Sequence, residues 1–360
     1  MLLDKLQTNT TTIGKALCVD GKKLWRWYRD TLSGFNTDQA QEKHYKYDIK
    51  LREKGGISTI RVPILKMENI GEDMAIDEKQ IGEEMHTVIS NRKTGKIAVL
   101  ARTIKASELS HLISFFEGIG FKVKSITRDL SNSYDWFCRQ AFPNAGHTAD
   151  KFHIISHLLD ASQDVRVRYR QELLRERRLL YEAHKQKEKE KLIEAKKTGK
   201  DYKIQPYKYK EKTLANGDTP LELLARSRFL LFKYQNDWTV SQAERARILF
   251  DKYPEIQKAY LLSCAFRIWY RKENVGNDLD YMGGELDDWF AEVEKADVEE
   301  MSNFKSLVER NKAIILSYFR HGYTNAIAEN INSKISRFIM INQGTRDREF
   351  FYFRMSNYFS

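Results

Sequence analysis

Three acidic residues stand where their side chains could work as a group. Asp77 closes a short apolar run with strand composition, and Asp129 follows a second strand-like run. Glu329 lies in a stretch with helical periodicity. Carboxylates are the hard oxygen ligands that Mg²⁺ and Mn²⁺ prefer. Two such ions about 3.5–4 Å apart can activate a water or a 3′-hydroxyl for attack on a phosphodiester. Neighbouring strand ends would bring the two aspartates together.

The stretch 324–339 predicts an amphipathic helix with Glu329 on its polar side. Its apolar side consists of residues spaced i, i+4, i+8 and i+11, namely Ile327, Ile331, Ile335 and Phe338. The polar face also carries Asn325, Asn332 and Ser336. The apolar stripe would hold the helix on a sheet, and the polar face would then direct Glu329 into the site. The alternative is that Glu329 is an ordinary solvated surface acid.

The chain is strongly basic, which indicates a polyanionic partner. Its 360 residues include 61 Lys and Arg against 50 Asp and Glu, a formal net charge of +11. Such a balance is the usual electrostatic footprint of nucleic-acid binding. The alternative is a basic protein without such a partner, and charge alone does not separate DNA from RNA or from an acidic protein.

The cysteines indicate a reducing compartment. Cys18, Cys138 and Cys264 stand far apart, with no C-x-x-C pair, so we expect neither a disulfide framework nor a zinc site. The start of the chain lacks the apolar core of a signal peptide, and no window approaches 18 consecutive apolar residues. We therefore expect a cytoplasmic protein that does not engage a membrane.

Residues 10–30 predict a helix-turn-helix. The turn is Val19-Asp20-Gly21, where Gly21 can adopt a positive φ. The second helix of such a motif enters the DNA major groove. Four cations of the second helix are therefore candidates for DNA contact: Lys22, Lys23, Arg26 and Arg29. The alternative is a helical hairpin that only packs, and the charged residues 36–56 predict a linker.

The next part of the chain predicts an α/β domain with a mixed sheet. Strand-like runs occupy residues 74–78, 85–90, 96–102, 121–127 and 145–149, and helical patterns occupy 107–118 and 134–142. Asn91 to Gly95 has the composition of a hairpin loop. Three antiparallel strands followed by alternating helices and strands give a mixed sheet with helices on its faces.

From Lys151 to about Arg310 the pattern predicts helices alone. The Lys-rich residues 185–212 indicate an exposed helix end or a mobile loop. Candidates for phosphate contact in and beyond this region are Arg166, Arg168, Arg170, Lys334 and Arg337. The tryptophans of the region, Trp238, Trp269 and Trp289, are either core residues or stacking surfaces for exposed bases.

The order of these blocks resembles the DDE transposases of bacterial insertion sequences, in the group called the ISL-three family. The blocks that carry the resemblance are Ala75 to Glu78, Ile126 to Ser131 with Tyr134, Phe142 to His153, Asp164 to Arg166, Thr324 to Ile335, Gly344 to Arg346, and Phe350. The similarity runs from about residue 57 to 355, and residues 10–30 fit the family's helix-turn-helix. Longer members begin with a cysteine-rich zinc-binding segment. This chain lacks it, so recognition of the element's ends would depend on the helix-turn-helix and the insertion.

The resemblance implies a ribonuclease H-like core interrupted by a large all-α insertion. It implies that Asp77, Asp129 and Glu329 are catalytic and hold two Mg²⁺ or Mn²⁺ ions. Asp150 and His153 belong to a signature block beside the site. Asp150 would support the ligands or replace one of them, and His153 would serve hydrogen bonding or catalysis. The implied domains are 1–56 (helix-turn-helix and linker), 57–153 (first part of the core), 154–310 (insertion) and 311–360 (final helix and basic tail).

The implied function is DNA transposition. The protein would cleave the ends of its insertion sequence by metal-dependent hydrolysis and join the 3′-hydroxyls to target DNA by transesterification. Its partner would be double-stranded DNA in the bacterial nucleoid. A homodimer or higher oligomer is expected, because two element ends must be held together. Two alternatives are a non-catalytic DNA-binding protein, such as an inactive or domesticated transposase, and a related structure-specific nuclease.

Overall fold

The computed structural model describes residues 8–38, 42, 46–53, 56–209, 211–322, 326–342 and 347–359. Thr324, Asn325 and the block 344–346 lie outside the described residues, as does the side chain of Ile327. No helix in the described part of the chain is long and apolar enough to cross a membrane. The chain divides into two compact units: Met1–His153 with Ala313–Ser360, and Ile154–Lys312.

Two short helices, α1 (Thr10–Ala16) and α2 (Gly21–Trp27), begin the described chain. They approach closely at glycines: a Cβ on Gly21 would lie 2.8 Å from the Cα of Thr11, and one on Gly14 would lie 2.5 Å from the carbonyl oxygen of Val19. The positive φ of the turn belongs to Cys18, at 54°, so the expected role of Gly21 was wrong. Gly21 is required for close contact and not for a left-handed backbone.

A hairpin and a six-stranded mixed sheet follow. The hairpin, β1 (Ile49–Glu53) and β2 (Gly56–Ile60), lies within and just after the segment predicted as a linker. The sheet contains β3 (Ile64–Leu65), β4 (Asp73–Ile81), β5 (Glu84–Asn91), β6 (Lys96–Ala101), β7 (Ser125–Arg128) and β8 (Gly146–Ala149). The strand order is β3-β6-β5-β4-β7-β8. β7 and β8 run parallel to β4, and the other pairs are antiparallel. The predicted mixed α/β sheet is confirmed.

One face of the sheet is covered by helical segments: α3 (Ala106–Leu109), a 3₁₀ stretch (Ser110–Phe116) and α4 (Asn132–Ala141). The predicted single helix over 107–118 is therefore wrong, although its apolar residues Leu109, Leu112 and Phe116 are buried as their spacing required. The strand predicted over 121–127 begins only at Ser125. The preceding chain is turned by a close approach at Gly120, where a Cβ would lie 1.9 Å from the carbonyl oxygen of Ala141.

The second unit has helices and no strands among its described residues. Its helices are α5 (Lys151–Lys197), α6 (Pro220–Arg226), α7 (Val240–Lys252), α8 (Pro254–Trp269), α9 (Leu279–Ala296) and α10 (Glu299–Arg310). Trp269 and Trp289 are buried, and their indole N–H groups donate to the carbonyls of Met282 and Leu262. These two tryptophans are therefore core residues, which leaves their rings unavailable for stacking on bases.

The chain then passes through α11 (Lys312–Leu316) and α12 (Tyr318–His321) to α13 (Ala326–Ile341) and α14 (Arg348–Tyr358). The last two helices cover the second face of the sheet. The side chains of α13 that are buried there, Ile331, Ile335 and Phe338, confirm the predicted apolar stripe within the described residues. Phe350 of α14 packs with Tyr28 and Phe35, so the N-terminal helices are joined to the end of the chain.

Candidate active site across the parallel strands

Three aspartates form a row across the three parallel strands. Ala75 on β4 pairs with Thr127 on β7, which pairs with Thr148 on β8. Each of these three residues is followed, two positions later in the chain, by an aspartate: Asp77, Asp129 and Asp150, respectively. The backbone N–H of Asp150 donates to the carbonyl of Arg128 over 2.7 Å, which continues the ladder past the strand ends. Because residues two apart share a face of a strand, this register brings the three acids to one edge.

Asp77 is held by contacts to both carboxylate oxygens. The side-chain Nδ2 of Asn332 donates to Oδ2 over 2.6 Å, and the backbone N–H of Glu78 donates to Oδ1 over 2.8 Å. Asn332 comes from α13, which also contacts β4 through a 2.5 Å hydrogen bond from Lys79 Nζ to Ser336 Oγ. The polar face of α13 therefore lies over Asp77, as its sequence pattern predicted.

Negative charge is concentrated beside Asp77. Burial raises the pKa of Asp129, and Asp77 adds to the rise, although the Ser131 N–H donates to Asp129 over 2.8 Å. The pKa of Glu78 is also raised, first by burial and then by Asp129 and Asp77. Like charges this close disfavour ionisation. A bound cation would relieve that repulsion.

His153, in the first turn of α5, lies between the two ends of the row. Its Nε2 is 3.7 Å from Oδ1 of Asp77 and 3.7 Å from Oδ2 of Asp150. The pKa of His153 is raised, chiefly by its interaction with Asp77, with burial opposing. The other oxygen of Asp150 accepts from the backbone N–H of Phe152 over 3.1 Å. The neighbouring acids therefore favour the protonated form of this imidazole.

Glu329 is not joined to this cluster. It is exposed on α13, one helical turn before Asn332, and makes no hydrogen bond or ion pair with the described residues. Among the described residues, no three His, Cys, Asp or Glu side chains converge closely enough to hold a metal ion. The structure thus brings Asp77, Asp129, Asp150 and His153 together and leaves Glu329 at their border.

The atoms around the row nonetheless suit a hard cation. The Oδ1 of Asn332 and the Oγ1 of Thr127 are buried, and neither has a hydrogen-bond partner among the described residues. Buried polar oxygens normally find a partner, and an orphaned one calls for an explanation such as an ion or a water. Carboxylate, amide and hydroxyl oxygens are the ligands of Mg²⁺ and Mn²⁺. The residues present therefore fit these metals.

A family model of DDE transposases, the ISL3 (ISL-three) family described as Transposase, matches residues 74–355, well over half of the chain. The chain belongs to this transposase family. The resemblance seen in the sequence is thereby confirmed, and the site residues from Asp77 to Asn332 all lie within the match. No curated protein and no solved structure gives a significant match.

The cations considered for DNA contact near the two ends of the transposase chain differ in exposure. Lys22, Lys23 and Arg26 are exposed on α2, and Lys334 and Arg337 are exposed on α13. Arg29 is partly buried and pairs with Asp347 at 2.6 Å and with Asp30 at 2.8 Å. Since Asp347 is the N-cap of α14, this ion pair belongs to the packing of the N-terminal helices.

Of the three α5 arginines considered for phosphate contact, two hold the helical unit together. Arg166 is buried and donates to the carbonyl of Leu224 and to the side chain of Gln163. Arg168 pairs with Glu255 and Glu300, which lie in the first turns of α8 and α10. Arg170 is partly exposed and makes no hydrogen bond or ion pair with the described residues.

Sequence reasoning missed one acid of the site. Glu78 directly follows Asp77, so strand alternation turns its side chain toward the opposite face, where Tyr134 interacts with it. Its carboxyl group still interacts with the acids of the row, because Asp129 and Asp77 both raise the pKa of Glu78. Adjacency of the two acids in the sequence was the available signal.

Proposed function

We propose that this transposase cleaves the ends of its DNA element and joins them to target DNA, with Asp77, Asp129 and Glu329 as the ligands of two Mg²⁺ or Mn²⁺ ions. The observation that carries the proposal is the in-register pair Asp77 and Asp129 beneath α13, whose Asn332 contacts Asp77. A ribonuclease H-like core is supported by the order β6-β5-β4-β7-β8, an antiparallel meander continued by two parallel strands.

Such ions would activate the attacking oxygen and stabilise the leaving oxygen of the phosphodiester. The protein's part is to hold their ligands in place. Asn332 and the Glu78 N–H fix the orientation of Asp77, and the Ser131 N–H fixes that of Asp129. His153 lies between Asp77 and Asp150, 3.7 Å from a carboxylate oxygen of each.

Glu329 is proposed as the third ligand because of its place on α13. Side chains three residues apart on a helix are neighbours, with Cβ atoms about 5–6 Å apart. Glu329 is therefore the neighbour of Asn332, which already touches Asp77. Its flexible, exposed side chain can turn toward the aspartates when a cation draws it in.

The exposed cations suggest how DNA is held. Lys22, Lys23 and Arg26 lie on α2, the proposed recognition helix, and Lys334 and Arg337 follow Glu329 along α13. Phosphate contacts of this kind position a protein on DNA. We further propose a homodimer or higher oligomer in the DNA complex, since both ends of an element must be joined in one event.

The test is cleavage of a duplex carrying the element's end by the full chain in Mg²⁺. Asp77→Asn, Asp129→Asn and Glu329→Gln should each lower the nicking rate by at least about 100-fold, the scale of a lost electrostatic catalytic contact. Glu83→Gln and Asp251→Asn, which alter exposed acids elsewhere, serve as matched controls. Cleavage by all three site variants at the control rate would refute the ligand assignment.

A second candidate is a transposase relative that binds DNA without cutting it. The exposed position of Glu329, without contact to the aspartates, favours it. This candidate predicts specific binding of the element's ends, no nicking in either Mg²⁺ or Mn²⁺, and no response of DNA affinity to Glu329→Gln. The nicking assay on the parent chain separates the two.

A further inference from the structure

The far part of α5 is exposed on almost every side. From residue 174 to 187 every described side chain but one is exposed, including Leu179 at 63% and Tyr181 at 46%. A helix that does not bury a continuous apolar face is not stabilised by packing into a core. Its exposed aromatic and basic side chains therefore call for another explanation.

A segment that follows α5 folds back and is anchored on this helix. The anchor is Glu188, which is buried although its neighbours in the sequence are exposed. Its carboxylate accepts from the Tyr202 hydroxyl over 2.7 Å, the Gln205 N–H over 2.8 Å and the Lys191 ammonium over 2.9 Å. These contacts lower the pKa of Glu188 to about 2, so the anchor stays charged at neutral pH.

The anchored segment places two tyrosines beside α5. Tyr207 lies 5.5 Å from Tyr181 and 6.3 Å from Tyr209, between ring centroids, and the Arg177 guanidinium lies 4.6 Å above the Tyr209 ring. Together with Leu174 and Arg178 these residues line an open hollow of about 440 Å³. We call this site the tyrosine hollow. Its walls are aromatic faces and guanidinium groups.

A line of cations runs along α5 next to the hollow. Arg178, Lys185, Lys189 and Lys196 are spaced i, i+7, i+11 and i+18, which keeps them within about 40° of one another around the helix. We call them the basic stripe. The stripe is about 27 Å long at 1.5 Å per residue and is turned about 40–80° from Tyr181 around the helix. All four side chains are exposed and make no ion pair with the described residues.

We propose that the tyrosine hollow and the basic stripe bind single-stranded DNA, with an unpaired base against Tyr181 and the phosphates along the stripe. Aromatic faces beside a cationic track are what single strands require, because every base has a face that stacks. Residues 172–197 of α5 carry nine Lys and Arg against six Glu, one of which, Glu182, lies beside the stripe, whereas residues 273–300 of the same unit carry eleven Asp and Glu against one Lys. The inference rests on the proposed function, in which strand cleavage exposes unpaired DNA.

The experiment measures binding of the full chain to a fluorescent single strand of about 20 nucleotides and to its duplex, by anisotropy, without divalent metal. Tyr181→Ala should weaken single-strand binding by about 5- to 150-fold, the equivalent of about 1–3 kcal/mol of stacking. Tyr181→Phe keeps the ring and should bind like the parent. Duplex affinity should change less than single-strand affinity in Tyr181→Ala.

The stripe is tested without touching any packed side chain. Lys185→Gln with Lys189→Gln should weaken single-strand binding and lower the slope of log affinity against log salt by about 1.4, or 0.7 per phosphate contact. The matched control is Lys187→Gln with Lys197→Gln, which removes two exposed cations from other faces of α5. In this control the salt slope should change by less than half of the amount expected for the stripe variant.

The outcomes separate this inference from the proposed function. If Tyr181→Ala and the stripe variant bind single strands like the parent, while the parent still cleaves the element's ends, the inference is wrong and the function stands. Equal losses for duplex and single strand would assign the surface to duplex DNA and overturn the single-strand claim. A parent that binds neither DNA would overturn both proposals, and a partner protein would then have to explain the hollow.

Discussion

The side-chain amide of Asn332 donates a 2.6 Å hydrogen bond to the carboxylate of Asp77, across 255 positions of sequence. The second oxygen of Asp77 accepts from the Glu78 N–H. Both oxygens are therefore oriented by the protein itself. Since α13 lies on β4 through Ser336 and its apolar stripe, the amide that holds Asp77 is itself held by the packing of the helix.

Asn332→Ala should slow DNA cleavage while leaving the fold intact. The change removes a hydrogen bond to a charged group, worth about 1.5–3 kcal/mol, so the single-turnover nicking rate should fall by about 10- to 100-fold. Ser333→Ala, one exposed position further along α13, is the control. Equal nicking rates for the two variants would mean that the Asn332 contact does not orient a group that takes part in cleavage.

Divalent metal should stabilise the protein through Asp129. If Mg²⁺ binds the native state alone with a dissociation constant of about 1 mM, then 10 mM Mg²⁺ would raise the free energy of unfolding by about 1.4 kcal/mol. In Asp129→Asn this gain should largely disappear. The variant without metal should be at least as stable as the parent, since burial and Asp77 penalise the charged form of Asp129. Denaturant titrations at constant ionic strength would measure this, and an unchanged Mg²⁺ response in Asp129→Asn would contradict it.

Two buried histidines should make the protein sensitive to acid. The pKa of His86, lowered chiefly by burial, and that of His147, lowered by burial and by Arg128, are both about 4. His86 donates to the Glu84 carbonyl and accepts from the Tyr352 hydroxyl at 2.7 Å. An unfolded histidine has a pKa near 6.5, so the unfolded chain binds more protons as the pH falls from 6.5 toward 4.

Each of these histidines should therefore cost the protein about 2 kcal/mol of stability between pH 7 and pH 5. In His86→Phe the dependence of the unfolding free energy on pH should become shallower by about that amount, whatever the variant's stability at pH 7. His111→Gln, at an exposed position, provides the comparison. If the unfolding free energy of His86→Phe fell in parallel with that of the parent from pH 7 to pH 5, His86 would not be buried in its neutral form.

Two glycine-to-alanine substitutions should have opposite effects. At Gly21 the new Cβ would lie 2.8 Å from the Cα of Thr11, so α1 and α2 must separate, at a cost of about 1–3 kcal/mol. At Gly284, within α9, a Cβ meets nothing within 4 Å, and alanine should stabilise the helix by about 1 kcal/mol. Thermal unfolding measures both, and DNA affinity should fall only for Gly21→Ala. Equal stability changes of the same sign would contradict the packing of α1 on α2.

Hydrophobic periodicity was enough to predict the sheet class and the face of α13 that meets the sheet. The buried side chains of α13 recur at helical spacing. A helix can bury one apolar face whenever its apolar residues recur at this spacing, so the buried face can be predicted from the sequence. Boundaries set by single contacts were not predictable. The strand expected from Phe121 starts at Ser125 because Gly120 passes close to Ala141, a residue distant in sequence.

The acids show the same division. Asp129 directly follows β7, as expected, but the expectation that Asp77 ends its strand was wrong, because Asp77 lies in the middle of β4 (Asp73–Ile81). Their alignment with Asp150 depends on the order of β4, β7 and β8, which no local pattern encodes. Likewise, the arginines of α5 looked equivalent in the sequence. Arg168 nevertheless has two glutamate partners that stand 87 and 132 positions later in the chain.

The packing of Phe350 against Tyr28 and Phe35 has a consequence for synthesis on the ribosome. Translation produces Tyr28 early and Phe350 near the end, so the N-terminal helices cannot complete their cluster until almost the whole chain has emerged. Asp77 likewise gains its hydrogen bond from Asn332 only when α13 has been synthesised. A nascent or prematurely terminated chain would therefore have neither a finished N-terminal module nor a finished acidic site. Both are therefore completed together, at the end of synthesis.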